Sequence, residues 1–106
     1  MEHRLLPAAR ERLTEIWEYT DEKWGEEQAD AYLTGFFAHL DDISFKPHKW
    51  KRLKTKEHGA VYFSKYEHHF VFFRQISCGA LGVITILHES MNLPDRVTEA
   101  FDINER

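Results

Sequence analysis

The sequence has one cysteine, Cys78, and lacks any long hydrophobic run. A single cysteine excludes an internal disulfide, which is typical of proteins from a reducing compartment. No apolar run approaches the roughly 18 residues that a membrane-spanning helix requires. The first residues form neither a secretory signal nor a membrane anchor. We therefore expect a cytoplasmic protein that has no contact with the membrane.

The sequence also lacks the common motifs of catalysis and metal binding. Its histidines show no HExxH pattern and no ligand spacing, and there is no glycine-rich phosphate loop. His88 and Glu89 are the one candidate acid–base pair, but neighbours on a strand point to opposite faces, as do His68 and His69. We expect no catalytic residue, no metal and no cofactor, and thus a protein that is not an enzyme.

Charge is unevenly distributed along the chain. The net charge is −4, but residues 1–45 carry 4 basic and 11 acidic groups, whereas residues 46–56, the basic segment, carry six cations and no acid. This segment either contacts nucleic acid or an acidic protein, with Trp50 as a stacking ring, or is a solvated loop. The pI near 5.9 argues against a dedicated nucleic-acid binder, so we expect no sequence-specific DNA binding by this chain alone. The candidate binding residues are Lys49, Lys51, Arg52 and Lys54.

Apolar residues recur at helical spacing in the first half of the chain. The pattern predicts a helix over 7–24, because Pro7 suits a first turn and Gly25 suits a C-terminal cap. A second helix follows and must end by Pro47. Two amphipathic helices joined through one glycine pack antiparallel, which predicts a helical hairpin over 7–45.

Extended segments dominate after residue 58. Short turns separate β-branched and aromatic runs at 59–66, 69–76 and 80–88, which predicts an antiparallel meander over 59–88. A short strand at 3–6 precedes the helices, and 95–103 can form a helix within the C-terminal segment 89–106. The element order is β-α-α-β-β-β. The predicted fold is a single α+β domain over 1–106, with the helical hairpin packed on a three- to four-stranded antiparallel sheet.

Aromatic residues on the helices exceed what a small core needs. Trp17, Trp24, Tyr32 and Phe36 predict an apolar groove beside the hairpin that stays partly open until a partner helix fills it. Arg74 ends an apolar strand and is costly to bury without a partner. We expect an ion pair between Arg74 and a helical carboxylate; the alternative is a cation presented at the mouth of the sheet.

Four segments, taken in their order and spacing over about residues 4–95, resemble ParE toxins. They are Leu6-Pro7-Ala8-Ala9 with Leu13-x-x-Ile16-Trp17-x-Tyr19, Trp24-Gly25-x-x-Gln28-Ala29-x-x-Tyr32-Leu33, Phe70-Val71-Phe72-Phe73-Arg74, and Ile86-Leu87-His88-Glu89-x-Met91-Asn92-Leu93-Pro94. The resemblance implies the ParE/RelE superfamily fold. It also implies the toxin half of a type II toxin–antitoxin pair, which inhibits DNA gyrase and is neutralised by a ParD-like antitoxin.

Two positions depart from the pattern of that family. Leu6 stands where the family commonly has a serine or threonine cap, and Ser90 stands where an arginine commonly precedes Met91. Two further functions stay open, of which only the first follows from the change at Ser90. One is a toxin-fold remnant that binds its antitoxin and poisons nothing. A homodimer and a toxin–antitoxin hetero-oligomer both remain possible assemblies.

The other open function is a ribosome-dependent mRNA endonuclease of the RelE branch. Such cleavage requires cationic side chains and an acid or base near the scissile phosphate. The candidates are His88 for the proton transfer and Lys51, Arg52, Lys54 and Arg74 for the charge. The sequence has no tyrosine after Tyr66, and the late tyrosine often used by that branch is missing, which favours a toxin without nuclease chemistry.

Overall fold

The computed structural model describes residues 2–53, 59–76, 79–91 and 93–105. Its helices and strands are β1 (His3–Leu5), α1 (Pro7–Trp24), α2 (Glu26–Ser44), a short 3-10 helix at Pro47–Lys49, β2 (Lys51–Leu53), β3 (Val61–Tyr66), β4 (His69–Gln75), β5 (Leu81–His88) and α3 (Leu93–Asn104). The predicted α+β class, the helical hairpin, the meander and the C-terminal helix are confirmed. None of the helices in these ranges is long and apolar enough to cross a membrane.

The hairpin turns within a single residue. Gly25 has φ +93°, a conformation that residues with a side chain rarely adopt. Its N–H donates to the carbonyl of Asp21 at 2.9 Å, and its own carbonyl accepts from Ala29 at 3.1 Å. One glycine therefore ends α1 and begins α2, as the sequence predicts.

The sheet is larger than the predicted antiparallel sheet of three to four strands. Within the described residues it has five strands, in the order β1-β5-β4-β3-β2. β1 runs parallel to β5, and β2 is an antiparallel edge strand that lies inside the basic segment. β2 is not predicted because the three residues of this strand show no hydrophobic alternation. β1 is predicted, but its direction depends on where the hairpin places it beside β5.

Apolar layers cover both faces of the sheet. The hairpin packs on one face, with a core that includes Leu13, Ile16 and Phe36, and α3 packs on the other with Val97 and Phe101. A β-bulge lets β5 serve both layers: Phe72 pairs with Thr85 and Phe73 with Val83, so Ile84 is an extra residue. Val83 then faces the hairpin and Ile84 faces α3.

The start of α1 is capped by a side chain from the other end of the chain. Leu6 provides no side-chain hydrogen bond at the N-cap position. Instead, the Ala8 N–H donates to Asn104 Oδ1 at 2.9 Å, and Asn104 Nδ2 donates to the carbonyl of Ile84 at 3.2 Å. Asn104 thus performs the role that a serine or threonine at position 6 would have, and it joins α1, α3 and β5.

Substituting Asn104 with alanine should lower the free energy of unfolding by about 1–2 kcal/mol, because loss of a helix cap costs about that much. The measurement is urea denaturation followed by circular dichroism. Asp102→Ala on the exposed face of α3 is the matched control and should change stability by less than about 0.5 kcal/mol. Equal stability of the Asn104→Ala variant and the wild type would contradict the assigned role.

Candidate functional site

An open groove of about 910 Å³ lies between the helical hairpin and the turn that joins β3 to β4. Its lining residues come from both helices, from the turn and from the end of β5. They are Arg12, Glu15, Ile16, Tyr19, Thr20, Trp24, Gln28, Ala31, Tyr32, Tyr66, Glu67, His68, His69, His88 and Met91. This groove is the site that the hairpin aromatics predict.

Aromatic rings form the apolar wall of the groove. Tyr19 is 53% exposed and Trp24 is 60% exposed at the tip of the hairpin. Deeper in the groove, the rings of Tyr32 and Tyr66 meet edge to face with centroids 5.1 Å apart. Exposed aromatic surface of this kind is characteristic of protein-binding sites.

The deep end of the groove depends on a glycine in α2. A Cβ added to Gly35 would overlap the hydroxyl of Tyr66. That hydroxyl donates to the carbonyl of Tyr32 at 3.3 Å, and the Tyr32 hydroxyl is hydrogen bonded to Nδ1 of His69 at 2.5 Å. Burial raises the pKa of Tyr32, so its hydroxyl stays protonated. Gly35 therefore lets β3 approach α2 closely enough to close this end of the groove.

Three histidines meet in the groove, which the sequence did not predict. The ring centroid of His88 lies 5.3 Å from that of His69 and 6.5 Å from that of His68. The expectation that His68 and His69 point to opposite faces is wrong, because His68 belongs to the turn and not to a strand. The signal that could have revealed the cluster is the strand register: the two-residue turn pairs Tyr66 with His69, and the pairing of β4 with β5 places His69 directly opposite His88.

The predicted acid–base pair of His88 and Glu89 does not form. Glu89 instead binds His68 at 3.0 Å and Lys65 at 2.7 Å, and these hydrogen bonds hold the pKa of Glu89 below its ordinary value. Nδ1 of His88 is hydrogen bonded to the hydroxyl of Ser90 at 2.8 Å and accepts the Ser90 N–H at 3.1 Å. Neighbouring side chains diverge at the end of β5, so each residue finds a different partner.

Arg12 fixes the floor of the groove to β5. Its Nε donates to the carbonyl of Ile86 at 3.1 Å, and Nη1 binds Glu15 at 2.6 Å. The guanidinium is already engaged by these groups. Within the described ranges, the remaining charged lining residue is the exposed Glu67.

The candidate residues on the hairpin divide between the groove and other surroundings. Trp24 and Tyr32 line the groove, as does His88 on β5. Phe36 is 1% exposed within the core, so its assignment as a contact residue is wrong. Trp17 is not a lining residue: its Nε1–H donates to Asp30 Oδ1 at 3.0 Å and joins the two helices.

The described part of the basic segment, residues 46–53, lies at the opposite end of β3 from the groove. Lys49, Lys51 and Arg52 are exposed, and β2 pairs with the first half of β3, whereas Tyr66 at the other end lines the groove. Lys54 lies outside the described residues. The suggested stacking role of Trp50 is wrong, because its Nε1–H donates to the carbonyl of Ile43 at 2.7 Å and its ring packs on the core.

Arg74 lies on the face of the sheet that α3 covers. Its guanidinium stacks over the ring of Phe101 at 5.3 Å. The expected ion pair with a helical carboxylate is absent among the described residues, and Nε of Arg74 is buried without a hydrogen-bond partner there. The acidic hairpin packs on the other face of the sheet, which keeps its carboxylates away from Arg74.

Metal binding finds no support in the described parts of the chain. No three His, Cys, Asp or Glu side chains within them are arranged so that they could hold a metal ion. The three groove histidines are instead committed to Tyr32, Ser90 and Glu89. The groove is therefore suited to bind an apolar partner surface, and its own polar groups lie at its deep end.

A family model and two curated relatives point to one family. A family model described as ParE toxin of type II toxin-antitoxin system, parDE, matches residues 4–93. Two curated relatives, each named Toxin ParE1 and from two strains of Mycobacterium tuberculosis, are 30% identical over 89 residues, which is 84% of this chain and 90% of each relative. A solved structure titled Chromosomal ParDE TA system from P. aeruginosa has a TM-score of 0.66 at 14% identity and covers 83% of this chain and 95% of its own. That structure shows the similarity of the fold.

The environment of His69 predicts that stability depends on pH. Burial, followed by the nearby His88, Arg12 and His68, lowers the pKa of His69 to about 4, against a smaller opposing effect of Glu89. An unfolded histidine has its ordinary pKa near 6.5. Between these values the unfolded chain binds more protons, so the free energy of unfolding should fall as pH drops from about 6.5 to about 4.

Because His69 is only partly buried, we expect a loss of about 1–2 kcal/mol across this window. The measurement is urea denaturation at half-unit pH steps. His69→Gln keeps a hydrogen-bonding group for Tyr32 and should flatten the profile, whereas His48→Gln at an exposed position should not. A wild-type profile that matches that of His69→Gln would contradict the assignment.

Proposed function

The chain belongs to the ParE toxin family of type II toxin–antitoxin systems, and from this premise we propose that it acts by binding and inhibiting DNA gyrase and that a ParD-like antitoxin neutralises it. The observation that carries the proposal is the open aromatic groove of about 910 Å³. An amphipathic helix binds by placing its apolar face into such a groove. The groove therefore supports a function through protein binding.

The surface that the groove offers to a partner is mainly apolar, because several of its polar groups are already hydrogen bonded within the chain. Tyr32, Arg12 and His88 already have partners within the chain, whereas the rings of Tyr19 and Trp24 face solvent. Removing this apolar surface from water gives roughly 25 cal/mol per Å² before the costs of association. A helix with an apolar stripe matches these requirements.

The basic segment supports a second contact, made by the extended acidic tail of the antitoxin. Lys49, Lys51 and Arg52 are exposed, and β2 is an edge strand. A strand residue spans about 3.3 Å, so a short tail leading from a helix in the groove can follow β3 to this edge. If gyrase meets the same surface, the tail neutralises the toxin by competition.

The histidine cluster favours one other function, a RelE-type mRNA endonuclease. His69 and His88 lie close together, with Arg12 nearby as a source of positive charge. General acid–base cleavage of RNA requires such groups within reach of one phosphate. However, Arg12 is bound to Glu15, and Glu67 also lines the groove. These carboxylates repel a phosphate, so we place gyrase binding first.

Adding the purified protein to gyrase should inhibit supercoiling of relaxed plasmid and should leave ribosome-bound mRNA intact. The reason is that the groove holds its polar groups in internal contacts and offers apolar surface. The measurements are a gel assay of supercoiling and primer extension on mRNA from a translation extract. Cleavage of the mRNA that vanishes in His88→Ala would show the endonuclease instead.

A negative result in both assays has a separate meaning. Ser90, in the position where the family commonly has arginine, is exposed and bonds to His88. If the cognate antitoxin binds while both assays stay negative, the chain is an antitoxin-binding remnant, and the gyrase proposal is wrong. Ser90→Arg, tested beside the wild type, shows whether that position alone accounts for the lost inhibition.

Replacing Lys49, Lys51 and Arg52 together with alanine should slow association of the cognate antitoxin by up to about tenfold at low salt and should flatten its salt dependence. Charges at the rim of an interface act mainly on the association rate. The measurement is stopped-flow kinetics at two ionic strengths. An unchanged rate with an unchanged salt slope would identify the basic segment as a solvated edge.

A groove variant provides the matched comparison for these kinetics. Trp24 is exposed, so Trp24→Ala should fold normally. Loss of an interface aromatic acts chiefly on dissociation, and the dissociation rate should rise about tenfold or more with little change in association rate. The two variants therefore separate the contribution of the groove from that of the basic segment.

A further inference from the structure

Tyr19, Lys23 and Trp24 form an exposed cluster at the tip of the hairpin. The rings of Tyr19 and Trp24 meet edge to face, with centroids 6.4 Å apart and an interplanar angle of 70°. The ammonium nitrogen of Lys23 lies 4.9 Å from the centroid of Tyr19 and 5.7 Å from that of Trp24. Both distances lie within the range of a cation–π interaction. The chain's own cation thus occupies the aromatic pair.

No carboxylate competes for this lysine within the described residues. Lys23 makes no ion pair there, although the neighbouring sequence is strongly acidic. Residues 18–27 contain five carboxylates and Lys23 as their one cation. Tyr19 and Lys23 are four residues apart on α1, so the side chains share one face of the helix. The rings, and not a salt bridge, hold the ammonium group.

The charge at the open end of the groove favours a cationic ligand. Glu15 lies one turn before Tyr19, and Glu67 lines the groove from the β3–β4 turn. Among the described residues, Arg12 is the one lysine or arginine that lines the groove, and its guanidinium is bound to Glu15 at 2.6 Å. An incoming cation therefore meets carboxylates and electron-rich ring faces, and Lys23 is the cation that lies over these rings in the described part of the chain.

We propose that Tyr19 and Trp24 form a cation-binding subsite at the open end of the groove, which takes an arginine side chain from the helix that fills the groove. Lys23 occupies the subsite in the free protein and leaves when that arginine binds. A planar guanidinium stacks on aromatic rings and is less strongly hydrated than an ammonium group. The proposal rests on the proposed function only for the identity of the helix, that of the antitoxin.

The first experiment tests the subsite without the antitoxin. N-acetylarginine amide is titrated into the full chain, and the indole N–H resonance of Trp24 is followed by NMR after assignment with Trp24→Leu. The uncharged isostere N-acetylcitrulline amide is the matched ligand control. We expect the arginine compound to shift the Trp24 resonance and the citrulline compound to leave it in place.

Lys23→Gln removes the internal competitor. In this variant the arginine compound should bind about two- to fivefold more tightly than in the wild type, which corresponds to one exposed cation–π interaction. Arg10→Gln removes the same charge from an exposed position near the start of α1 and should leave binding unchanged. Equal shifts with both compounds, or no shift in Lys23→Gln, would overturn the proposal.

The second experiment uses the cognate antitoxin and separates the two proposals. Its dissociation constant should fall two- to fivefold in Lys23→Gln and should not change in Arg10→Gln. If the antitoxin binds and the two variants behave alike, the subsite is wrong while the proposed function stands. If the antitoxin does not bind at all, the proposed function fails, and the arginine titration still decides the subsite.

Discussion

Burial of β5 on both faces is the constraint on which the rest of the structure depends. Every residue from Leu81 to Leu87 is buried, so both layers of the protein must close on this strand. A regular strand would alternate strictly between the two layers. The bulge at Ile84 changes that alternation, and it lets Val83 and Ile86 face the hairpin while Ile84 and Leu87 face α3. Both layers therefore receive apolar side chains from β5.

The groove follows from a difference in length between the hairpin and β5. Arg12 contacts the carbonyl of Ile86, close to the end of β5 at His88. From this contact α1 continues for about 18 Å to Trp24, whereas β5 continues for only about 7 Å. The last turns of α1 therefore extend past the end of the strand. The apolar stripe that packs on β5 at Leu13 and Ile16 continues as exposed aromatic surface at the tip.

The sequence predicts those helices and strands that are long enough for a pattern of apolar residues to repeat along them. The helix over 7–24 agrees with α1 at both ends because Pro7 and Gly25 mark its boundaries chemically. β2 is not predicted because its three residues show no alternation of apolar and polar side chains. The packing of the Trp50 ring on the core is missed for the same reason, because Trp50 directly precedes β2.

The site was predictable to a similar degree. Trp24 and Tyr32 line the groove that an excess of aromatic residues on the hairpin predicts, and their role in binding stays a prediction. The histidine cluster was not, because His68, His69 and His88 come together only through a two-residue turn and the pairing of β4 with β5. Phe36 was misplaced because an apolar stripe does not show where the core ends and the groove begins. The spacing of residues in the sequence therefore predicts individual helices and strands better than it predicts the contacts between them.

The hydrogen bonds inside the groove determine which kind of partner gains from binding there. The Tyr32 hydroxyl, the Arg12 guanidinium and Nδ1 of His88 each have a partner within the chain. A ligand that competed for these groups would exchange one hydrogen bond for another, with little net gain. Apolar contact with Tyr19 and Trp24 has no such internal competitor apart from Lys23, which lies over their rings. Affinity for a partner should therefore come mainly from apolar contacts at the tip of the hairpin. The deep end of the groove should contribute mainly through how well its shape fits the partner.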